Sequence, residues 1–68
     1  MKYSALTKNE IAYFVNECNF TDDERAYFIH KTRGDSDVKI SFDLNVSSST
    51  VTRIGQRVKR KYLKSGGQ

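Results

Sequence analysis

The chain has 68 residues, of which 37% are hydrophobic and 29% charged, and its net charge is +4. This length allows a single small domain, which buries only about 60% of the surface that its unfolded chain exposes and is therefore marginally stable. The composition excludes a disordered chain, and no apolar stretch approaches the ~18 residues of a membrane span or forms a signal peptide, so we expect a cytoplasmic protein without membrane contact.

The first predicted helix runs from about residue 7 to residue 18. Thr7 and Glu10 have the spacing of a capping box, in which the two side chains bond backbone N–H groups of the first turn. The apolar residues that follow recur three and four apart, as on one face of a helix: Ile11, Phe14, Val15 and Cys18. Because Cys18 lies on this face, we expect a buried thiol without a chemical role. Asn19 ends the helix.

A second helix begins at Thr21, where Thr21 and Glu24 repeat the capping-box spacing. The run of residues 26–29 is apolar without a gap, so the sequence leaves open which side faces the core. Gly34 is a typical helix stop. His30 is expected to be a helix-end cation or a ring at the edge of the core, rather than a ligand or an acid–base group.

A third, short helix follows a cap at Ser36 or Asp37. Its predicted buried side consists of Val38, Ile40, Ser41 and Leu44. Asn45 comes next, and asparagine is, after glycine, the residue that most readily adopts a positive φ. This pattern predicts a tight turn into another helix.

The fourth and longest helix is predicted from an N-cap at Ser47 to about Leu63. Its apolar stripe consists of Val51, Ile54, Val58 and Tyr62, and Gly55 leaves room for a neighbouring helix to approach closely. Residues 65–68 are expected to form a flexible tail on a single domain that spans residues 1–64. The sequence therefore predicts an all-α fold, a small bundle of about four helices.

The charges are distributed unevenly along the chain. Residues 1–50 contain six basic and eight acidic residues, whereas residues 51–68 contain six basic residues and no acid. A helix that only solvates itself would mix glutamate with lysine at i, i+4 spacing. A basic segment at one end of a mildly acidic chain therefore indicates a polyanionic partner.

Residues 37–56 meet the requirements of a helix-turn-helix, in which two helices cross at a fixed geometry through a turn of three to four residues. Both helices need inward apolar side chains, the contact point needs a small residue, and the turn needs a residue that tolerates a left-handed backbone and an apolar residue that fills it. The inward apolar side chains are Ile40, Leu44, Val51 and Ile54, and the small residue is Ser41. Asn45 tolerates the left-handed backbone, and Val46 fills the turn.

The stretch from residue 20 to residue 64 resembles the helix-turn-helix of bacterial sigma-factor region 4 and its LuxR-type relatives. The likeness rests on Thr-Asp-Asp-Glu-Arg-Ala-Tyr-Phe opening one helix, Gly34-Asp35-Ser36 before the next, and Leu-Asn-Val-Ser-Ser-Ser-Thr-Val at the turn. The resemblance implies a small DNA-binding regulator rather than a full sigma factor, because no region that binds the polymerase core fits in the remaining residues. Ser41 and Asn45 depart from the family, which has mostly alanine and often glycine there, and the first helix lies outside the shared unit.

In that family the second helix of the motif enters the major groove of DNA, so the resemblance assigns roles along the fourth helix. The base-facing candidates are Ser48, Ser49, Thr52, Arg53 and Gln56. Ser47 and the basic residues further along, Arg57, Arg60 and Lys64, would contact phosphates. Independently of the family, arginine can bond guanine O6 and N7, and glutamine can bond adenine N6 and N7.

These features predict sequence-specific binding of double-stranded DNA in transcriptional control, through a recognition helix at about residues 47–63. One such helix contacts few base pairs, so a homodimer or a co-binding partner is expected to add specificity. The alternative is a protein-interaction adaptor of the sigma region 4 type, which would bind RNA polymerase or another regulator. The sequence offers no paired carboxylates, activated nucleophile, phosphate loop or metal cluster, so we expect no enzymatic activity, cofactor or metal.

Phe42 does not fit the core of the motif, because it lies two residues from both Ile40 and Leu44. In one hypothesis the first helix folds over this site, and Phe42 packs against Phe14 or Tyr13. In the other, Phe42 stays exposed and contributes to a surface for self-association or for a partner.

Overall fold

The structure, a computed structural model, describes residues 3–67. These residues contain four α-helices and one short 3₁₀ turn. The turn spans Tyr3–Ala5, and the helices are α1 (Lys8–Glu17), α2 (Asp22–Thr32), α3 (Asp37–Leu44) and α4 (Ser48–Lys64). No strand occurs within these residues, and none of their helices combines the length and apolarity needed to cross a bilayer. The predicted all-α fold, a bundle of four helices, is confirmed.

Each helix begins at a side chain that accepts a hydrogen bond from a backbone N–H of the first turn. Thr7 and Thr21 form complete capping boxes with the glutamates three residues on, as predicted. Ser36 and Ser47 cap α3 and α4, and their hydroxyl oxygens accept from N–H groups at 3.3 and 3.2 Å. These caps satisfy donors that no intrahelical bond reaches, and so fix where each helix starts.

The turn between α3 and α4 contains three residues, Asn45, Val46 and Ser47. Asn45 adopts the predicted left-handed conformation, with φ 55°. This conformation reverses the chain so that the Val46 N–H donates to the Ser41 carbonyl oxygen at 3.0 Å, which closes α3. Asn19, which follows α1, also has a left-handed backbone, with φ 53°.

The helix α4 runs through the middle of the bundle, because both α2 and α3 pack against it. Its predicted stripe is buried at every position: Val51, Ile54 and Val58 are inaccessible to solvent and Tyr62 is 5% exposed. Gly55 lies beside the stripe, and a Cβ there would stand 2.7 Å from the hydroxyl oxygen of Tyr27 on α2. The predicted close approach at Gly55 is therefore confirmed.

Aromatic rings fill the space between α1, α2 and α4. The ring of Phe28, which is wholly buried, lies 5.4 Å from that of Tyr3, 5.2 Å from that of Phe20 and 6.1 Å from that of Tyr62. Tyr27 is buried as well, so these two residues give the inward side of the apolar run that the sequence left undecided. Cys18 is buried, as predicted.

Two apolar side chains of α3 point away from the core. The sequence predicts a buried Val38, and this prediction is wrong, because Val38 is 65% exposed. Phe42 is 79% exposed, so the hypothesis that it packs under α1 is also wrong. Both residues lie two positions from the buried Ile40, and two positions correspond to about 200° around a helix. They consequently face the opposite side.

The residues after α4 form a hydrogen-bonded turn. Gly66 has φ 97°, and the N–H of Gly67 donates to the Tyr62 carbonyl oxygen at 2.9 Å. This turn includes residues 65–67 of the expected tail, and Gln68 lies outside the described residues. The flexibility of the tail stays a prediction.

Candidate nucleic-acid interface

The outward face of α4 is the side opposite to its buried stripe. Successive residues turn by about 100° around a helix, which decides which side chains are farthest from the stripe. These are Ser49, Arg53, Gln56 and Arg60, and all four are exposed. We call them the outward face of α4. They follow one another along the helix without an acidic side chain among them.

All nine residues that the sequence assigns to DNA are exposed and lie on α4 or on its N-cap. Four of them are the outward face itself, and Thr52 and Lys64 flank it. Ser48 and Arg57 lie at its two opposite edges, and Ser47 caps the helix. The structure thus brings the predicted residues to one surface, with Arg53 and Gln56 at its centre.

The N-terminal end of α4 is open to solvent and has no acid in its first turn. The hydroxyl oxygen of Ser47 accepts from the Thr50 N–H, and the hydroxyl of Thr52 donates to the Ser48 carbonyl oxygen at 3.1 Å. The N–H groups of Ser48 and Ser49 have no acceptor within the helix. Together with the positive end of the helix dipole, they can receive an anion such as a phosphate.

Glu24 pairs with two of the basic side chains of α4. Its carboxylate is 2% exposed, accepts from Arg57 Nε at 3.1 Å on one oxygen and from Lys61 Nζ on the other, and also accepts from the Thr21 N–H at 3.0 Å. Three donors therefore surround one buried charge. The pairing holds the start of α2 against the second half of α4 and reduces the positive charge that Arg57 and Lys61 present to solvent.

The surroundings of Glu24 have opposing effects on its pKa. Burial raises the pKa, because the charged form loses water, but the hydrogen bonds from Lys61 and from the Thr21 N–H lower it, as does the positive charge of Arg57. The lowering effects are larger together, so the pKa of Glu24 lies below its ordinary value. The carboxylate is charged at neutral pH.

The remaining basic residues of α4 carry the positive charge of this surface. Arg53, Lys59, Arg60 and Lys64 are exposed, and within residues 3–67 none of them pairs with a carboxylate. Of the acids, Asp35 and Asp37 are paired at the junction of α2 and α3. Unpaired cations are thus concentrated on α4.

Sequence reasoning missed the partnership of Glu24 with α4. It assigned Glu24 to a capping box alone and treated Arg57 as a free phosphate contact. Glu24 and Lys61 are 37 residues apart, and no local pattern links positions at that separation. The missed residue Lys59 is exposed at one edge of the helix, and its charge was the only signal that could have identified it.

The junction of α2 and α3 is held by ionisable side chains. His30 contacts Asp35 through Nδ1 at 2.8 Å and Asp43 through Nε2 at 3.3 Å, and Lys31 lies 2.7 Å from Asp37. The hydrogen bond with His30 lowers the pKa of Asp35. His30 lies in the last turn of α2, and its contacts with Asp35 and Asp43 hold α3 in place. The helix α3 in turn packs on α4.

Comparison with known proteins gives no relative. No family model, no curated protein and no solved structure matches the chain. The resemblance to sigma-factor region 4 stays a prediction from the sequence.

Proposed function

We propose that the protein binds double-stranded DNA sequence-specifically, with α4 in the major groove, and acts in the control of transcription. The observation that carries the proposal is the outward face of α4, which is exposed, free of acids and centred on Arg53 and Gln56. Its opposite side is buried along the whole stripe, so the helix is presented to a partner as a rigid element.

The spacing of Arg53 and Gln56 suits the reading of neighbouring base pairs. They are three residues apart and therefore about 4.5 Å apart along the axis of α4, close to the ~3.4 Å between base pairs. Arginine bonds two acceptors of guanine, and glutamine bonds an acceptor and a donor of adenine. Each bidentate contact is worth about 1–3 kcal/mol of discrimination against a wrong base.

Phosphate contacts would orient the helix in the groove. The open N–H groups behind the Ser47 cap receive one phosphate, and the exposed cations Arg60 and Lys64 receive others further along. Arg57 contributes less than its charge suggests, because Glu24 occupies its Nε. Short side chains at Ser48, Ser49 and Thr52 let the start of the helix approach the base edges.

A gel shift with genomic fragments at two salt concentrations tests the proposal. We expect a minority of fragments to stay bound at about 150 mM salt. Weak binding of all other fragments should appear only at low salt, because non-specific binding depends most steeply on counterion release. Equal binding to every fragment would contradict sequence specificity. No binding at low salt would contradict DNA binding altogether and would favour the protein adaptor.

A further inference from the structure

The solvent side of α3 carries the two most exposed of the large apolar side chains among residues 3–67. Phe42 is 79% exposed and Val38 is 65% exposed. They are four residues apart and so lie on one face of α3, one turn apart. We call this pair the apolar face of α3. Exposed apolar side chains that lie side by side, rather than singly, can mark an interaction surface.

A pair of opposite charges borders the apolar face on one side. Lys39 and Asp43 each follow one of the two apolar residues, so they are also one turn apart. Their side chains are 59% and 47% exposed. Among residues 3–67, each has one contact with an ionisable side chain: Lys39 with Asp35 at 3.8 Å, and Asp43 with His30 at 3.3 Å.

We propose that the apolar face of α3 binds a second copy of this chain, with the two α3 helices antiparallel about a twofold axis. A twofold axis makes every contact between two different residues occur twice, once in each direction. Val38 then packs against Phe42 of the second copy, a small side chain against a large one. The same operation places Lys39 beside Asp43 of the second copy, twice over. The surface is therefore complementary to itself in size and in charge.

The small area of the surface limits the affinity of the pairing. Two exposed phenylalanines and two valines bury a few hundred Å², well below the ~1,200 Å² of a stable protein–protein interface. The dimer is consequently weak, with a dissociation constant on the order of 10⁻⁴ M. At lower concentrations the protein is a monomer.

The proposed dimer is formed by α3 alone, whereas its role in DNA binding depends on the proposed function. If both copies of α4 in the dimer reach one duplex, each copy raises the effective concentration of the other at a neighbouring half-site. Such cooperation would add specificity to a domain with one recognition helix.

Sedimentation without DNA tests the pairing, from about 10 μM to about 1 mM protein. We expect the parent to pass from monomer to dimer over this range. Phe42→Ser should raise the dissociation constant by about a hundredfold, whereas Tyr13→Ser, which removes an exposed ring from α1, should leave it unchanged. A parent that stays monomeric at 1 mM would overturn the proposal, as would a Phe42→Ser variant that pairs like the parent.

Charge exchange tests the antiparallel arrangement. Lys39→Asp and Asp43→Lys should each weaken self-association by about tenfold, because each places like charges across the axis. An equimolar mixture of these two variants should form a mixed dimer at least as strong as that of the parent. A mixture that stays monomeric, when circular dichroism shows both variants folded, would overturn the arrangement; if either variant is unfolded, the Phe42→Ser comparison decides.

The two proposals fail independently. Loss of DNA binding in the gel shift does not affect sedimentation, and an absent dimer does not affect binding to a single half-site. If Phe42→Ser lowered the affinity for a single half-site, with no effect on sedimentation, the apolar face of α3 would belong to a DNA contact and self-pairing would be wrong.

Discussion

At the residue scale, the buried carboxylate of Glu24 connects three parts of the molecule. It closes the capping box of α2 and accepts from Arg57 and Lys61 on α4. Glu24→Gln removes the charge that these donors bond, and hydrogen bonds to a charged group contribute more than neutral ones. The two cations are partly exposed and can be solvated, which limits the loss. We therefore expect Glu24→Gln to reduce the free energy of unfolding by about 1–3 kcal/mol at pH 7.

The effect of Glu24 should depend on pH. Its pKa is lower in the folded protein than in the unfolded chain, so the unfolded chain takes up the proton first as the pH falls. The stabilisation is complete above the ordinary glutamate pKa of about 4.3 and is lost as the pH falls through the folded pKa. Urea unfolding of parent and Glu24→Gln should show a difference at pH 7 that shrinks at pH 3.

A matched control for Glu24 is Asp22, two residues earlier in the same helix. Asp22 pairs with Arg25 at 2.9 Å, but its side chain is 96% exposed. Asp22→Asn should change the free energy of unfolding by less than about 0.5 kcal/mol, because exposed pairs contribute little. An equal loss for both variants, or a Glu24 effect that is constant from pH 7 to pH 3, would contradict the assigned role.

Arg53 and Lys64 should differ in what they contribute to DNA binding. Arg53 lies at the centre of the outward face, so Arg53→Ala should cost about 1–3 kcal/mol and remove the preference at one base pair. Lys64 lies at the end of α4, so Lys64→Ala should weaken the binding of all duplexes equally. It should also reduce the steepness of the slope of log K against log salt by about 1. Fluorescence anisotropy with a bound duplex and its single-base variants measures both.

At the element scale, Gly55 allows α2 to lie close against α4. Alanine normally stabilises a helix by up to about 1 kcal/mol relative to glycine. Here its Cβ would stand 2.7 Å from the Tyr27 hydroxyl oxygen, and the Tyr27 ring is itself buried. We expect Gly55→Ala to lower the free energy of unfolding by about 1–3 kcal/mol. Ser49→Ala, on the exposed side of the same helix, should have little effect, and thermal unfolding compares the two.

The turn between α3 and α4 depends on the left-handed conformation of Asn45. Asn45→Gly should leave stability nearly unchanged, because glycine adopts φ 55° without strain. Asn45→Ala should destabilise the protein by about 1 kcal/mol, since a Cβ without a polar group disfavours this conformation. If alanine and glycine behaved alike in urea unfolding, the assigned backbone conformation would be wrong.

The elements were predictable because their signals are local. Thr7, Thr21, Ser36 and Ser47 act through N–H groups three residues away, and Asn45 through its own backbone. The orientation of α3 was less predictable, because an eight-residue helix gives only two turns of periodicity. Val38 was grouped with Ile40, but the two positions that separate them correspond to about 200° around the helix, so both cannot face the core.

At the scale of the whole molecule, the uneven charge of the sequence becomes an uneven surface. The described acids include Glu24, which is buried against α4, and three aspartates that are paired where α2 meets α3. The unpaired cations of α4 lie on its exposed sides. The sequence indicated the basic end of the chain, but only the packing of α2 on α4 reveals that Glu24 neutralises part of it.

The most direct test of DNA recognition by α4 is selection of bound duplexes from a random pool by the folded protein. We expect a short motif to be enriched, in one or two copies, and a variant that combines Arg53→Ala with Gln56→Ala to lose the enrichment while keeping its fold. A selected pool that does not differ from the starting pool, or the same motif from parent and variant, would contradict the proposal that the outward face of α4 reads DNA sequence.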